Sequence, residues 1–406
     1  MAKSVETMGA RLPDPASPIP PLGKAVLGNI RPVMTPFVNL SEEEQQFLCD
    51  VRKFVDEYVF PQTREWEKDT FPADIWKRCA ALGLTSVVLP KEYGGRGYSC
   101  VTYAEMCRIL AHGDPALAMN VAAVNALCVA HFEKFANDEQ RAKYLPSILN
   151  GDCPLAWGLT EPLAGSDARY VQTKATPIPD RPGYFHLNGE KMFTTNGGFA
   201  GLIIVIARLD EENLSAFLVE KDQPGVIDKG RIETVGVKAS YTWRFEMKDA
   251  IGWHTPGSFE DVISLLYRGR VGIGAMALGI AEKAFELGKA YSKERVQFGR
   301  PLAKMQSVQN MIADSSMEIE AARLLVLKAA AMYDRGEPIV KEASHAKLFA
   351  SETARNVTNR MLQIFGGRGM MPEYLIEKLW RDAKLTEIGE GASEIQRLII
   401  AKQELS

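Results

Sequence analysis

The hydrophobic period of this 406-residue chain changes twice, and few folds can accommodate that. From Ser41 to about Gly151 apolar residues recur at helical spacing, opening with Ser41-x-x-Glu44 ahead of Phe47, Leu48, Val51, Phe54, Val55, Tyr58 and Val59. Ser followed three residues later by Glu is a capping box, and the spacing gives the helix one buried face. Beyond Asp152 the period becomes strand-like over Tyr184 to Thr195, Leu202 to Leu209 and Leu214 to Val219. The first run is interrupted by Asn188-Gly189, a pair that favours a tight hairpin turn. Near Phe259 helical spacing returns, with segments at about 260–292, 303–334, 337–365 and 375–402. The expectation is an α+β fold, mainly α. A helical domain spans 39–151, a middle β domain 152–255 and a C-terminal four-helix bundle 256–406. A Pro-rich extension over 1–38 reads as an extended or wrapping arm.

Charge narrows the function. Lys and Arg number 48 against 51 Asp and Glu, so no positive field is available for nucleic acid. The longest strongly apolar run, Leu202 to Ala207, is far short of the ~20 residues of a membrane-spanning helix. The first 38 residues hold no apolar stretch resembling a signal peptide, and Glu6 and Asp14 argue against a transit peptide. Six cysteines without a CxxC pair suggest reduced thiols and an intracellular protein, with a bacterial cytoplasm expected ahead of a mitochondrial matrix. The five histidines are scattered, so no metal site is expected.

The chain lacks a GxxxxGK[ST] loop, a GxSxG elbow and an HExxH pair. Gly272-x-Gly274-x-x-Ala277 matches a dinucleotide fingerprint, but within a helical pattern it is better explained by close helix packing. Trp157-Gly158-Leu159-Thr160-Glu161-Pro162-Leu163-Ala164-Gly165-Ser166-Asp167 ends an extended run in small residues. With Lys191-Met192-Phe193-Thr194-Thr195-Asn196 it could present aromatics and hydroxyls to a flat polar heterocycle, or simply form an aromatic core. Arg295-Val296-Gln297-Phe298-Gly299-Arg300 and Gln363-Ile364-Phe365-Gly366-Gly367-Arg368-Gly369 place cations or glycines at helix ends. There they would serve an anion, or equally a C-cap and a solvated surface. Glu390, between Gly389 and Gly391 and before a Ser393-x-x-Gln396 box, is a solvated loop acid on the bland reading. Desolvated against a ring system, it would be a general base.

Together these segments resemble the acyl-CoA dehydrogenase family, from about Val38 to Leu405. Gly269-Arg270-Val271-Gly272-Ile273 through Ala277-Leu278-Gly279-Ile280-Ala281 is most similar to its short-chain, bacterial butyryl-type branch. The resemblance implies a homotetramer holding FAD. Trp157, Leu159, Thr160, Gly165 and Ser166 would surround the flavin with Phe193, Thr194 and Thr195. Arg295, Phe298, Gln306, Gln363, Gly366 and Gly367 would hold the pyrophosphate and adenosine, in part from a neighbouring subunit. Ala392 and Glu394 also match cofactor positions, and Ser166, Tyr267, Arg270 and Gly391 match acyl-CoA contacts.

Glu390 matches the catalytic base. By the resemblance it removes the α-proton of an acyl-CoA thioester while the β-hydrogen leaves as hydride to flavin N5, giving a trans-2-enoyl-CoA. An electron-transferring flavoprotein would accept the electrons. Some relatives carry the base near Tyr267 to Arg270, where this chain has Gly269. Gly389 replaces a frequent tyrosine and suggests a branched, cyclic or aryl acyl group. Ala392 removes a hydroxyl contact unless Ser393 shifts to supply it, and Tyr267 replaces a common acid. The alternatives are an acyl-CoA oxidase or related oxygen-reactive flavoprotein, and a non-catalytic scaffold of the same fold.

Overall fold

In the computed structural model, which describes residues 39–69 and 71–406, Ser41 caps the first helix as its spacing predicts. Its hydroxyl accepts from the Glu44 N–H at 3.2 Å, and the Glu44 carboxylate accepts from the Ser41 N–H at 3.0 Å. The expected arm over 1–38 lies outside the described residues. The N-terminal helices are α1 (Glu42–Phe54), α2 (Thr63–Trp66), α3 (Ile75–Ala81), α4 (Cys100–Gly113), α5 (Pro115–Ala123), α6 (Ala130–Phe135) and α7 (Asp138–Leu149). Every residue of α4 is buried, so the other elements pack around it. A π-helical segment, Val124–Val129, links α5 to α6.

The middle segment supplies β1 (Leu155–Gly158), β2 (Lys174–Pro177), β3 (Tyr184–Thr194), β4 (Leu202–Arg208), β5 (Leu214–Glu220), β6 (Val226–Arg231) and β7 (Trp243–Thr255). The strand order is β1-β4-β2-β3-β7-β5, and β5 pairs back onto β4, which closes the sheet on itself. Leu187, Ile203, Val205, Phe217, Val219, Phe245 and Met247 fill the interior. Asn188-Gly189 does not make the expected turn. β3 runs through it, with a register shift against β7 between Leu187 and Gly189. Gly189 stands so close to Thr173 that a Cβ would lie 2.6 Å from its Cα, and Asn188 exchanges hydrogen bonds with Asp249. The pair therefore marks a bulge and a close backbone approach.

The C-terminal region holds α8 (Phe259–Glu294), a small β8 (Val296–Gln297) and β9 (Arg300–Pro301) hairpin, α9 (Gln306–Asp334), α10 (Val340–Phe365), α11 (Ile376–Ile388) and α12 (Ser393–Leu405). The helical segment expected at about 375–402 is two helices, with Glu390 in the junction ahead of the final one. Glu390 and Gly391, at φ +58° and +93°, are left-handed, which no continuous α-helix allows. The glycines of α8 pack helices, as expected. A Cβ at Gly272 would collide with the Tyr103 hydroxyl, and one at Gly279 with the Arg108 carbonyl. Pro115–Phe135 and Phe259–Glu294 are long and apolar enough to cross a bilayer, which the run-length reading did not foresee. They are 94% and 78% buried inside the protein over their most apolar windows, as core helices are.

One buried triad ties the three regions together. The Lys378 ammonium on α11 lies 2.6 Å from Asp382 and 3.3 Å from Asp114, all three at most 2% exposed. Asp114 also caps α5 through the Leu117 N–H and accepts from Thr63, while Asp382 accepts from the backbone N–H of Val237. Burial disfavours the charge on Lys378, but the two carboxylates outweigh it and keep the lysine protonated.

Candidate active site

The α11–α12 junction exists to present one side chain. α11 stops at Ile388, Gly389 leaves it extended (φ −64°, ψ 153°), and Glu390 and Gly391 reverse the backbone. The expected Ser393-x-x-Gln396 capping box does not form. Ala392 takes the N-cap place, and the Ser393 hydroxyl rests 3.4 Å from the Glu387 carbonyl. Gln396 instead donates to the carbonyls of Glu390 (3.3 Å) and Gly391 (2.8 Å). Left-handed residues turn their carbonyls inward, and the amide satisfies them there. Ser393 thus does not replace the hydroxyl that Ala392 lacks.

Glu390 points across to α8, where its carboxylate covers Gly269. A Cβ there would be 2.7 Å from Oε2, so in this position the acid rests directly on the glycine and any side chain at 269 would make it shift. Oε2 is buried without a hydrogen-bond partner. Burial pushes the carboxyl up to about 7, against the pull of Arg270 on α8 and Lys347 on α10. Arg270, itself 5% exposed, leaves Nε and Nη1 unpartnered and lies 5.4 Å from the Tyr267 ring. A carboxylate half ionised near neutral pH and stripped of water is suited to taking a proton from carbon.

The second cluster is built by one buried ion pair. Lys191, wholly buried on β3, donates to Glu161 (2.6 Å) and to the Leu159 carbonyl (3.1 Å). Glu161 also accepts from the Gln172 and Thr173 backbone N–H groups and the Thr173 hydroxyl. Burial disfavours both charges. At Glu161 the lysine and these hydrogen bonds outweigh it and lower the carboxyl, while Lys191 is left at about 8. The Met192 N–H donates to the Thr160 carbonyl at 2.9 Å, so the segments around Trp157 to Ser166 and Phe193 to Thr195 are brought side by side. Trp157 Nε1 and Thr194 Oγ1 are buried without partners, Phe193 is 54% exposed in a left-handed conformation, and Gly165 has open space around it. Orphaned donors beside an uncovered aromatic fit a flat, polar heterocycle such as a flavin better than a closed aromatic core does.

The remaining predicted residues gather elsewhere. Tyr291 near the end of α8 stacks on Phe365 at the end of α10, with centroids 4.1 Å apart. That places Arg295 and Gln363 to Gly367 at one end of the bundle, with Phe298 (94% exposed) at the tip of the β8–β9 hairpin. Gln306 opens α9, and Gly366 and Gly367 have nothing near them. Within one chain this group does not meet Glu390: Gly269 and Arg295 are about 39 Å apart along α8. Glu394 is exposed in the first turn of α12. Among the described residues no group of three or more His, Cys, Asp or Glu is placed to hold a metal ion.

Sequence reasoning passed over Lys191, Glu161, Lys347 and Tyr103 as working residues. Lys347 had a signal: it interrupts the buried Ala343, Ala346, Ala350, Ala354 stripe of α10. Tyr103 had none, since its hydroxyl reaches the site only because Gly272 lies beneath it.

The chain matches three family profiles in order: acyl-CoA dehydrogenase N-terminal domain over 41–152, middle domain over 156–250 and C-terminal domain over 259–405. It is 38% identical to the short-chain specific acyl-CoA dehydrogenase of Clostridium acetobutylicum, across 89% of this chain and 98% of that one. The butyryl-CoA dehydrogenase of Megasphaera elsdenii superposes with a TM-score of 0.87 at 36% identity, over 91% of this chain and all of that one. A chain from the structure of the electron transferring flavoprotein of Acidaminococcus fermentans does so at 0.86 and 34%, over 90% and 99%.

Proposed function

The chain belongs to the acyl-CoA dehydrogenase family, and on that premise we propose that it oxidises the Cα–Cβ bond of an acyl-CoA thioester with Glu390 as base. The observation that carries the reading is the buried, unpartnered Glu390 carboxylate seated over Gly269. Its Oε2 takes the α-proton, and Arg270 and Lys347 hold the site's charge in place. Trp157, Thr160, Ser166 and Phe193 to Thr195 would hold the flavin ring of FAD. FAD, when bound, supplies the acceptor for the β-hydrogen. The thioester oxygen must be hydrogen-bonded as enolate charge develops, and exclusion of water from the buried site strengthens such bonds.

Arg295, Phe298, Gln306 and Gln363 to Gly367 lie too far from Glu390 for one FAD to touch both groups in a single chain. They are assigned to the cofactor of a neighbouring subunit, which supports a homotetramer. An electron-transferring flavoprotein is the proposed acceptor, supported by the solved chain from that system. The proposed location is the bacterial cytoplasm, supported by bacterial relatives such as the clostridial enzyme.

The test is anaerobic titration of the FAD-loaded protein with straight, branched, cyclic and dicarboxylic acyl-CoAs, following flavin absorbance. Bleaching by at least one is expected, with a reduction rate that rises from pH 6 to pH 8 as Glu390 ionises around 7. Oxygen uptake matching turnover in air would identify an oxidase instead.

Gly389 leaves room beside the base. A Cβ there would meet nothing nearer than the Leu385 carbonyl at 3.5 Å, and its φ and ψ suit any residue. Gly389→Tyr is therefore expected to fold normally and to lower the preference for bulky over straight acyl groups about tenfold or more, measured as the ratio of kcat/KM values. An unchanged ratio would show that position 389 does not border the acyl group.

A further inference from the structure

Lys347 is a fully buried cation on α10 that, among the described residues, no carboxylate hydrogen-bonds. Its ammonium donates to two main-chain carbonyls, Glu387 at 3.0 Å and Gly391 at 2.8 Å. The first belongs to the last turn of α11, and the second follows the base directly. A lysine at a helix C-terminus commonly meets carbonyls this way, but on the surface and from its own helix. Here the cation arrives from another helix and gives up its hydration, a cost that needs a compensating charge nearby. The carboxylate acting most strongly on it is that of Glu390, ahead of Glu387 and Glu394, while Arg270 opposes.

The backbone it grips is strained. Glu390 is a non-glycine residue at φ +58°, followed by Gly391 at +93°, and such a pair persists only where its surroundings over-determine it. Among the described residues, the side chains hydrogen-bonded to the carbonyls of Glu390 and Gly391 are those of Lys347 and Gln396. Gln396 supplies geometry without charge; Lys347 supplies both.

We propose that Lys347 is a positioning residue for the base. It pins the Glu387–Gly391 turn so that Glu390 stays over Gly269, and from α10 it presents a fixed positive charge to the carboxylate. The proposal rests on Glu390 being the base. Burial brings Lys347 down to about 8, so it carries its charge at neutral pH. The other titratable groups facing Glu390 are Arg270 on α8, Tyr103 on α4 and Cys128 on the π-helical segment. Burial holds the last two neutral. The ionisation of Glu390 therefore answers to Arg270 and Lys347 alone among its neighbours.

The test uses Lys347→Met and Lys347→Gln in the FAD-loaded protein. Lys347→Met is expected to keep its flavin spectrum, to be reduced by substrate about 10- to 100-fold more slowly, as a displaced base would be, and to show its pH midpoint about one unit higher. Lys347→Gln, which restores N–H donors without charge, should recover part of the rate and keep the raised midpoint. A merely structural lysine would move neither the midpoint nor the split between the two variants. The midpoint of Glu390 can also be read without substrate, from its carboxyl band in the infrared difference between each protein and its Glu390→Gln partner. If no acyl-CoA reduces the wild type, the reading of the function fails, yet the infrared shift still decides the role of Lys347. Wild-type rate and midpoint in Lys347→Met, or failure of both variants to fold, overturns the proposal.

Discussion

Glu390→Gln is expected to bind FAD and to lose flavin reduction by acyl-CoA by about 10³-fold, within the range that a positioned general base contributes. The substitution is isosteric, so the side chain still lies over Gly269 and the turn at 389–391 keeps its tethers from Lys347 and Gln396. What disappears is the only proton acceptor. An amide also removes a buried negative charge facing Arg270 and Lys347, which deprives both cations of the carboxylate acting most strongly on them and should tighten binding of an enolate-like analogue. Stopped-flow reduction under anaerobic conditions measures the loss, and the retained flavin spectrum separates it from unfolding. Activity within tenfold of wild type would remove Glu390 from the mechanism.

Lys378→Met should have the largest effect on stability. It leaves Asp114 and Asp382, both completely buried, without their shared counter-ion. Breaking a buried pair from one side costs about 3–5 kcal/mol, a sizeable part of a domain's total stability. Asp114 keeps its bonds from Thr63 and the Leu117 N–H, and Asp382 keeps the Val237 N–H, so the damage is electrostatic before it is steric. The sign of the pH dependence follows. Burial already raises Asp382 against the pull of Lys378, and without the lysine its carboxyl would rise further above its unfolded value. A raised carboxyl favours the folded state at low pH and loses that contribution as pH climbs through its folded value. The defect should therefore be smaller at pH 5 than at pH 8, read as the difference in melting temperature between variant and wild type. Equal deficits at both pH values would rule out an electrostatic origin.

Periodicity carried most of the architecture. The capping box at Ser41, the strand-like middle and the long bundle helices all follow from local spacing, and local spacing determines local hydrogen bonding. The misses have one cause. Asn188-Gly189 makes a bulge because Thr173, fifteen residues back, presses against it. The capping box at Ser393 goes unused because Gln396 bonds the Glu390 and Gly391 carbonyls instead, beside a lysine 43 residues before the base. Of the site, the residue types and their order were legible through resemblance. The partners that fix them, Lys347 under the base and Lys191 beneath Leu159, come from distant segments and are seen only in three dimensions.

The contact between Glu390 and Gly269 also restricts how this active site can change over evolutionary time. Two positions 121 residues apart border one volume, so a side chain gained at 269 displaces the carboxylate at 390 from its place. A single substitution that adds an acid at 269 would meet the carboxylate at 390, and one that removes the acid at 390 first leaves no base at all. The two positions are therefore coupled: what position 269 carries decides where the acid at 390 can lie.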